Sequence, residues 1–331
     1  MLMSAVVQPE ALASEHFQLT GYRDQVEMLL RGMQSNGVLL VDSERRLLEA
    51  LRHRVESLGT KCGQQIKIRF EELSKSGRSR VVATQCRCEA SMSLLDAAKL
   101  VHELASSDAL VVAPDAAQSL QAGLGTYVAG LIPMSSYISS AFETSRHSNL
   151  EELPPLDLMG IEAFEGQIIR LTRFAKKLRF YDKQIGADSN LSGFRRGIGK
   201  ILSLWTANAH HAKELLKVEI YTCVHLQRTH RSTEVVHARL KDDIAAALAD
   251  AAGVPVGLFF KNDPGHLTHD RFLQVDSLAV YFSKGFDFLE SDGSLHRCSM
   301  RADNAAYDHL CDYRRLNDFA EPSWSQPRMR R

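Results

Sequence analysis

The sequence predicts two α/β domains, the first of them built on a parallel sheet. Short apolar runs alternate with stretches in which apolar residues recur at helical spacing, a pattern typical of a parallel sheet with helical crossovers. The alternation stops at a polar stretch that contains Pro154-Pro155 and then begins again. The length of 331 residues is enough for about two domains.

The first half of the chain is predicted to contain a helical lead-in followed by an α/β domain. Residues 1–35 form the lead-in, because Phe17, Val26 and Leu30 recur at roughly helical spacing. The domain covers residues 36–145. Its predicted strands are 37–41, 80–84, 108–113 and 131–133, and its predicted helices include one that ends at Gly59, one at 64–74 and one that Ser91 or Ser93 caps.

The second half is predicted to repeat the α/β pattern. Residues 146–157 are a predicted linker, because they are polar and contain consecutive prolines. The second domain covers residues 158–318, and the polar residues 319–331 are a predicted flexible tail. The predicted strands are 177–181, 216–222 and 255–260 with an antiparallel pair at 271–275 and 277–282, and the predicted helices are 161–176, 190–214, 233–252 and 303–315.

Composition narrows the classes of protein to which the chain can belong. Its 40 basic and 40 acidic residues exclude a strongly electropositive surface of the kind that binds nucleic acid nonspecifically. The six cysteines include no CxxC pair, which indicates reduced thiols rather than a disulfide framework or an ordinary zinc finger. No signal peptide opens the sequence, and no run of about 18 apolar residues predicts a transmembrane helix. The expected location is cytoplasmic.

Acidic side chains stand at the ends of predicted strands in the first domain. Asp42 ends the first strand, while Asp108 and Asp115 stand at the beginning and just past the end of the third. Ligands of open α/β sheets gather at the carboxyl ends of the strands, and the helical acids Glu49, Glu71 and Glu72 are candidates to face the same crevice. Convergent carboxylates suit Mg²⁺ or Mn²⁺, which can generate hydroxide for hydrolysis of a phosphodiester. The alternative is that Asp42 and Asp115 each cap a helix.

These segments resemble the PIN-like nuclease family. The matching pieces are the strand that ends in Asp42-Ser43, the helix with Glu71-Glu72, and residues 107–115. The resemblance covers roughly residues 36–145 and implies a three-layer parallel-sheet domain that cleaves RNA with a divalent metal, Asp42 and Asp115 being catalytic. The implied metal ligands are Asp42, Glu71, Asp108 and Asp115. Family members often carry a larger acidic cluster near the fourth strand, where this chain has only Pro114-Asp115, so an inactivated site is an alternative.

Three separated segments of the second half resemble the phospholipase-D-like fold, most closely the C-terminal domain found behind MIT domains. They are residues 179–186, His269-Asp270-Arg271 and Gly285-Phe286-Asp287. The resemblance covers roughly residues 158–318. Active members of that fold need a His-x-Lys motif, usually twice, in which the histidine is the nucleophile and the lysine holds a phosphate oxygen. This chain has Arg271 in place of the lysine and no clear second copy, so the resemblance implies phosphate binding without catalysis.

Basic side chains around these segments are the predicted phosphate ligands. An arginine can grip a phosphate with two parallel hydrogen bonds, which suits Arg271 to the role. The predicted ligands are Lys183, Arg195, Arg196, His269, Arg271 and Lys284. The alternative is that His269 and Asp270 fix the end of a strand while Arg271 pairs with a neighbouring acid.

Two functions of different classes follow from these predictions. In the first, the chain is a metal-dependent nuclease for RNA or single-stranded nucleic acid whose second domain recognises a phosphate-bearing partner. RNA is the expected partner ahead of DNA, and a bacterial conflict or phage-defence role follows by analogy alone. In the second, both sites are degenerate and the chain is an adaptor or binding subunit of a larger assembly. A third reading is a module for a phospholipid surface, which predicts an exposed basic patch with apolar neighbours.

Overall fold

The chain forms two compact units, Met1–Leu150 and Glu151–Arg331. The computed structural model describes residues 2–75, 80–122, 128–148, 153–186, 191–224, 232–261, 270–276, 278–303, 306, 309–311, 314 and 319–328. The first unit is built on a parallel sheet flanked by helices, and the second on a mixed sheet. The prediction of two α/β domains, the first with a parallel sheet, is confirmed.

The sheet of the first unit has five parallel strands in the order β3-β2-β1-β4-β5. These strands are β1 (Met3–Val7), β2 (Gly37–Val41), β3 (Val81–Ala83), β4 (Ala109–Val112) and β5 (Leu131–Pro133). Every residue of β1, β2 and β4 is buried, as expected of strands covered on both faces. The strands predicted from residue 37 onwards are confirmed.

Helices connect these strands and cover the sheet. They are α1 (Tyr22–Asn36), α2 (Arg46–Glu56), α3 (Thr60–Ser74), α4 (Leu94–Leu104), α5 (Pro114–Ala122) and α6 (Ala141–Ser148). Of the two serines predicted to cap α4, Ser93 takes the role, since its hydroxyl accepts a hydrogen bond from the Asp96 backbone N–H at 3.1 Å.

The prediction that residues 1–35 form a helical lead-in is wrong for the first residues, which form a strand. The segment Met3–Val7 is the central strand of the sheet and pairs with β2 on one side and β4 on the other. The short 3-10 helices Pro9–Leu12 and Ser14–Gln18 follow it, and only α1 agrees with the prediction. The physical reason is that β1 is stabilised by pairing with strands distant in sequence, which helical spacing does not detect.

The sheet of the second unit has seven strands in the order β11-β10-β9-β6-β7-β8-β12. They are β6 (Lys177–Tyr181), β7 (Lys217–Cys223), β8 (Val256–Lys261), β9 (Phe272–Val275), β10 (Leu278–Phe282), β11 (Met300–Ala302) and β12 (Ser323–Ser325). The central strands β6, β7 and β8 are parallel, and the outer strands run antiparallel to their neighbours. The predicted antiparallel pair is β9 and β10.

The helices of the second unit are α7 (Leu156–Met159), α8 (Ile161–Thr172), α9 (Leu191–Asn208), α10 (Thr233–Arg239) and α11 (Ala247–Ala252), with a π-helical segment at Leu240–Ala246. Trp205 of α9 is fully buried, and its indole N–H donates to the Ala175 carbonyl at 3.1 Å. Among the helices that the structure describes, none has the length and apolar character needed to cross a membrane.

Two predicted boundaries differ from the structure. The predicted linker at residues 146–157 overlaps both the end of α6 at Ser148 and the start of α7 at Leu156. The predicted flexible tail contains β12, which pairs with β8 through Trp324 and Gly257. A side chain at Gly257 would meet the Trp324 ring at 2.9 Å, so the missing Cβ makes room for this contact.

Candidate functional site

Asp42 holds the beginning of α2 in the first unit. Its Oδ2 accepts a hydrogen bond from the backbone N–H of Arg46 at 3.0 Å, and its Oδ1 accepts one from Leu47 at 2.8 Å. The side chain is fully buried. Both carboxylate oxygens therefore satisfy N–H groups that the first turn of a helix leaves without partners. This is the helix-cap arrangement that the sequence left as the alternative to metal binding.

Asp108 and Asp42 lie at opposite ends of the parallel strands, because Asp108 precedes β4 and Asp42 follows β2. The Asp108 carboxylate accepts hydrogen bonds from the backbone N–H and the hydroxyl of Ser4, at 2.7 and 2.9 Å. Ser4 pairs with Val38 of β2, so Asp42 lies about 13 Å farther along the strand direction at the usual rise per residue. Asp108 and Asp42 are thus too far apart to bind one metal ion, and their predicted convergence is wrong.

The other two predicted metal ligands are exposed. The Asp115 side chain is 81% exposed and its carboxylate lies 3.9 Å from His16 Nε2. Asp115 and Asp42 both lie at the carboxyl ends of parallel strands. The strand β1 lies between their strands β2 and β4, so β2 and β4 are about 10 Å apart. Glu71 is an exposed residue of α3.

The predicted carboxylates do not fit a Mg²⁺ or Mn²⁺ site. Both carboxylate oxygens of Asp42 accept hydrogen bonds from backbone N–H groups. Asp108 lies at the opposite end of the parallel strands, where it binds Ser4. Across the parts of the chain that the structure describes, no three His, Cys, Asp or Glu side chains gather where they could hold a metal ion.

In the second unit, charged residues from several strands lie together where the parallel strands of the sheet end, which we call the carboxyl edge of the sheet. Asp182 follows β6, and Arg271 precedes β9, which runs antiparallel to β6 with Tyr181 opposite Phe272. Lys284 follows β10, which pairs with β9. Lys261 ends β8 at the same edge. This edge is where the parallel strands β6, β7 and β8 end, the usual ligand-binding position of an α/β sheet.

Arg271 and Asp182 form the centre of this edge. Arg271 Nε lies 3.8 Å from Asp182 Oδ1, a distance that allows charge attraction but exceeds a hydrogen bond. Arg271 Nη1 donates to the Ser283 carbonyl at 3.2 Å, and the Arg271 side chain is 23% exposed. The guanidinium is therefore fixed by the backbone while part of it reaches the solvent.

Ser283 is held in place by a neighbouring segment. Its backbone N–H donates to the Ser299 carbonyl at 3.1 Å, and its hydroxyl accepts from the Ser299 backbone N–H at 2.9 Å. The carbonyl to which Arg271 donates thus belongs to a loop with defined hydrogen bonds, and the position of the guanidinium follows from that loop.

Asp182 is a buried carboxylate that lies beside Arg271. Its side chain is 1% exposed, and its Oδ1 accepts a hydrogen bond from the Gln184 backbone N–H at 2.8 Å. Within the described residues, neither Asp182 Oδ2 nor Arg271 Nε makes a hydrogen bond of ordinary geometry. Burial raises the pKa of Asp182 to about 6, against the opposing effects of the Gln184 and Phe286 backbone N–H groups and of Arg271.

Gly285 allows the loop after β10 to lie directly on Asp182. Its φ is +89°, a conformation that residues with side chains rarely adopt. A Cβ at this position would lie 2.5 Å from Asp182 Oδ2 and 3.5 Å from Arg271 Nε. Glycine is therefore required at this position for two reasons: the backbone has a positive φ, and there is no space for a Cβ beside Asp182 and Arg271.

The remaining predicted phosphate ligands fall into different environments. Lys284 and Arg195 are exposed, whereas Lys183 is only 8% exposed. Arg196 Nε donates to the Leu289 carbonyl at 3.1 Å, so this arginine secures a loop. His269 lies outside the described residues.

The prediction from sequence placed Asp182 and Gly285 inside the segments that resemble the phospholipase-D-like fold, but it did not include either of them among the phosphate ligands. Asp182 follows a strand directly, as Asp42 does, so the rule that singled out Asp42 was a usable signal for it. For Gly285, the signal was the Lys284-Gly285 step directly after an apolar strand, which is typical of a turn.

Comparison with known proteins adds little to this geometry. No family model matches the chain, and no curated protein matches it. Among solved structures, it is similar to TrmBL2, an archaeal chromatin protein whose structure shows a novel mode of DNA binding. The identity is 10%, the match covers 93% of this chain and 96% of that one, and the TM-score is 0.24. A TM-score this low establishes neither a shared fold nor a shared function.

Proposed function

We propose that the chain is a binding protein that recognises a phosphate group of a nucleic-acid strand through its second unit, with Arg271 as the main contact. The observation that carries this proposal is the Arg271 guanidinium, held by the Ser283 carbonyl at the ligand-binding edge of the sheet and partly open to solvent. Guanidinium groups fixed in this way bind phosphate with charge-assisted hydrogen bonds. The resemblance of His269-Asp270-Arg271 to phosphate-holding strands of phospholipase-D-like domains supports the same placement.

The charges around Arg271 favour a single recognised phosphate over a membrane surface. Anionic membranes attract clusters of basic residues with few acids among them. Here Asp182, Asp270 and Asp287 stand in the same loops as the basic side chains. Asp270 is exposed, and a carboxylate suits the hydroxyl and amino donors that nucleotides offer beside each phosphate. An RNA strand, with its ribose hydroxyls, is the ligand that we propose.

The proposal is for binding and assigns no cleavage. The carboxylates predicted to hold Mg²⁺ or Mn²⁺ in the first unit stand apart or hold backbone groups. The adaptor or binding-subunit reading of the sequence therefore has better geometric support than the nuclease reading.

A binding assay with single-site variants tests the proposal. The probe is a fluorescently labelled single-stranded RNA, compared with DNA of the same sequence and with vesicles of phosphatidylserine and phosphatidylcholine. We expect Arg271→Ala to weaken RNA binding by about tenfold to a hundredfold, the loss of one charged hydrogen-bonding contact. Arg271→Lys keeps the charge but not the fork, so we expect an intermediate loss.

Arg170→Ala is the matched control for Arg271→Ala. Arg170 is an exposed arginine in the last turn of α8, which leads to the opposite end of β6, so we expect its loss to leave binding within about twofold, as for a surface charge far from the ligand. Equal binding by wild type and both Arg271 variants, with folding verified by circular dichroism, would refute the proposal. Arg271-dependent binding to vesicles but not to RNA would replace the nucleic acid with a lipid headgroup.

A further inference from the structure

Asp182 is the buried acidic group closest to the proposed phosphate contact. Its carboxylate lies 3.8 Å from Arg271 and is closed off from solvent by the Gly285 loop. An ionised carboxylate at this distance offsets most of the charge that Arg271 presents to an anion, because the surroundings are only partly hydrated. A protonated Asp182 leaves that charge unopposed. The protonation state of Asp182 thus sets the field that an incoming phosphate meets.

We propose that Asp182 makes phosphate binding at Arg271 dependent on pH, so that the site binds a phosphodiester more tightly when Asp182 is protonated than when it is ionised. This inference rests on the function proposed above and adds its regulation. Asp182 acts through Arg271 and does not itself contact the ligand, so it is a positioning residue.

The charged groups that act on the Asp182 carboxylate come from two other segments. Arg271 stands before β9, and Asp287 lies in the loop after β10. Arg271 favours the ionised form of Asp182, whereas Asp287 favours the neutral form. The neighbouring strand β7 ends in Cys223, whose thiol donates to the Lys183 carbonyl at 3.4 Å.

The burial of Asp182 explains how this carboxyl group can take up a proton. Its side chain is 1% exposed, and this loss of hydration raises the pKa of Asp182 to about 6, although the backbone N–H groups of Gln184 and Phe286 favour the ionised form. Binding of a phosphodiester places a further negative charge nearby and favours protonation more strongly. By linkage, each bound phosphate draws up to one proton from solvent onto Asp182 in the pH range around its pKa.

The test measures affinity as a function of pH with a ligand that does not titrate. The probe is a uridine oligonucleotide that carries a 5′ fluorophore in place of a terminal phosphate, because its bases and diesters keep their charge between about pH 5 and pH 8. We expect wild-type affinity to fall by about tenfold across this range, the effect of one unit charge a few ångströms from the ligand at an intermediate dielectric. Asp182→Asn should bind at every pH about as tightly as the wild type at low pH.

Two controls separate Asp182 from other titrating groups. His269→Ala removes the nearest histidine in the sequence, and we expect it to retain the pH dependence. A pH dependence that disappears in His269→Ala and persists in Asp182→Asn would overturn the inference. Arg170→Ala, with its exposed charge at the other end of β6, should keep the wild-type profile.

Two further measurements tell failure of the inference from failure of the proposed function. Carboxyl NMR of the ligand-free wild type reports the titration of Asp182 directly, and a midpoint at the ordinary value for aspartate would overturn the inference even if binding depends on Arg271. Calorimetry in buffers of different ionisation enthalpy detects the expected proton uptake without any variant, so the test stands if Asp182→Asn does not fold. Binding that is insensitive to Arg271 would refute the proposed function itself.

Discussion

Replacement of Asp42 by alanine removes the acceptor for two backbone N–H groups at the start of α2. The Leu47 N–H is fully buried, so its loss of a partner costs about 1–3 kcal/mol. The Arg46 N–H is partly buried and can turn to water, so its loss costs about 0.5–1 kcal/mol. We expect Asp42→Ala to reduce the free energy of unfolding of the first unit by about 1.5–4 kcal/mol.

The assay has to report on the first unit alone. Both tryptophans, Trp205 and Trp324, belong to the second unit, so tryptophan fluorescence does not follow the first. Hydrogen exchange of peptides from α2, together with thermal unfolding followed by circular dichroism, provides the signal. The expected loss corresponds to a decrease in Tm of roughly 3–16 °C for a unit of this size.

Asp115→Ala is the control, because this carboxylate is 81% exposed and makes one long contact to His16. We expect its effect to stay within about 0.5 kcal/mol. The helix-cap reasoning is refuted if Asp42→Ala is as mild as Asp115→Ala. A rise in wild-type Tm on addition of Mg²⁺ or Mn²⁺, absent from both variants, would restore the metal site.

Three other substitutions test separate parts of the structure. Arg146→Met should lower the free energy of unfolding in urea by about 3–5 kcal/mol, because it leaves the buried Glu143 carboxylate without its charged partner. Arg146 Nη2 and Nε donate to the two oxygens of this carboxylate at 2.6 and 2.8 Å, and a mild effect would contradict the burial of the pair. Gly285→Ala should abolish RNA binding and lower Tm in thermal unfolding, since its Cβ would meet Asp182 Oδ2 at 2.5 Å; unchanged binding would contradict the loop geometry. Asp182→Asn should stabilise the second unit by about 1–3 kcal/mol at pH 7.5. The pKa of Asp182 in the folded wild type is raised to about 6, so the wild type becomes more stable as pH falls through this value. The stability advantage of Asp182→Asn should therefore shrink at low pH. An advantage that grows on acidification would contradict this reasoning.

The parts of the fold predicted correctly from sequence are those whose signal is local. The α2 helix places Leu47, Leu51 and Val55 on a single buried face, and this spacing identifies a helix without reference to the rest of the chain. The strand β4 is an apolar run between polar residues and is equally plain. Both elements were predicted close to their observed bounds.

The parts missed are those that depend on distant partners. The strand β1 is a strand because β2 and β4 flank it on both sides. The strand β12 exists because Trp324 finds space over Gly257 of β8. Neither segment shows a clear strand pattern of its own, since the polar Ser4 interrupts β1 and β12 has only three residues, so pairing rather than propensity decides their structure.

The candidate site shows how the same sequence signal can mark two different roles. Asp42 and Asp182 each follow a strand whose last residue is buried, at the carboxyl ends of the parallel strands, where ligands of α/β proteins gather. Asp42 has both oxygens occupied by N–H groups only a few residues away. Asp182 has one oxygen occupied locally, while the other faces Gly285, far along the chain. A position after a strand therefore identifies candidates, and the hydrogen bonds that a carboxylate leaves unmade distinguish a group available for function from one committed to the fold.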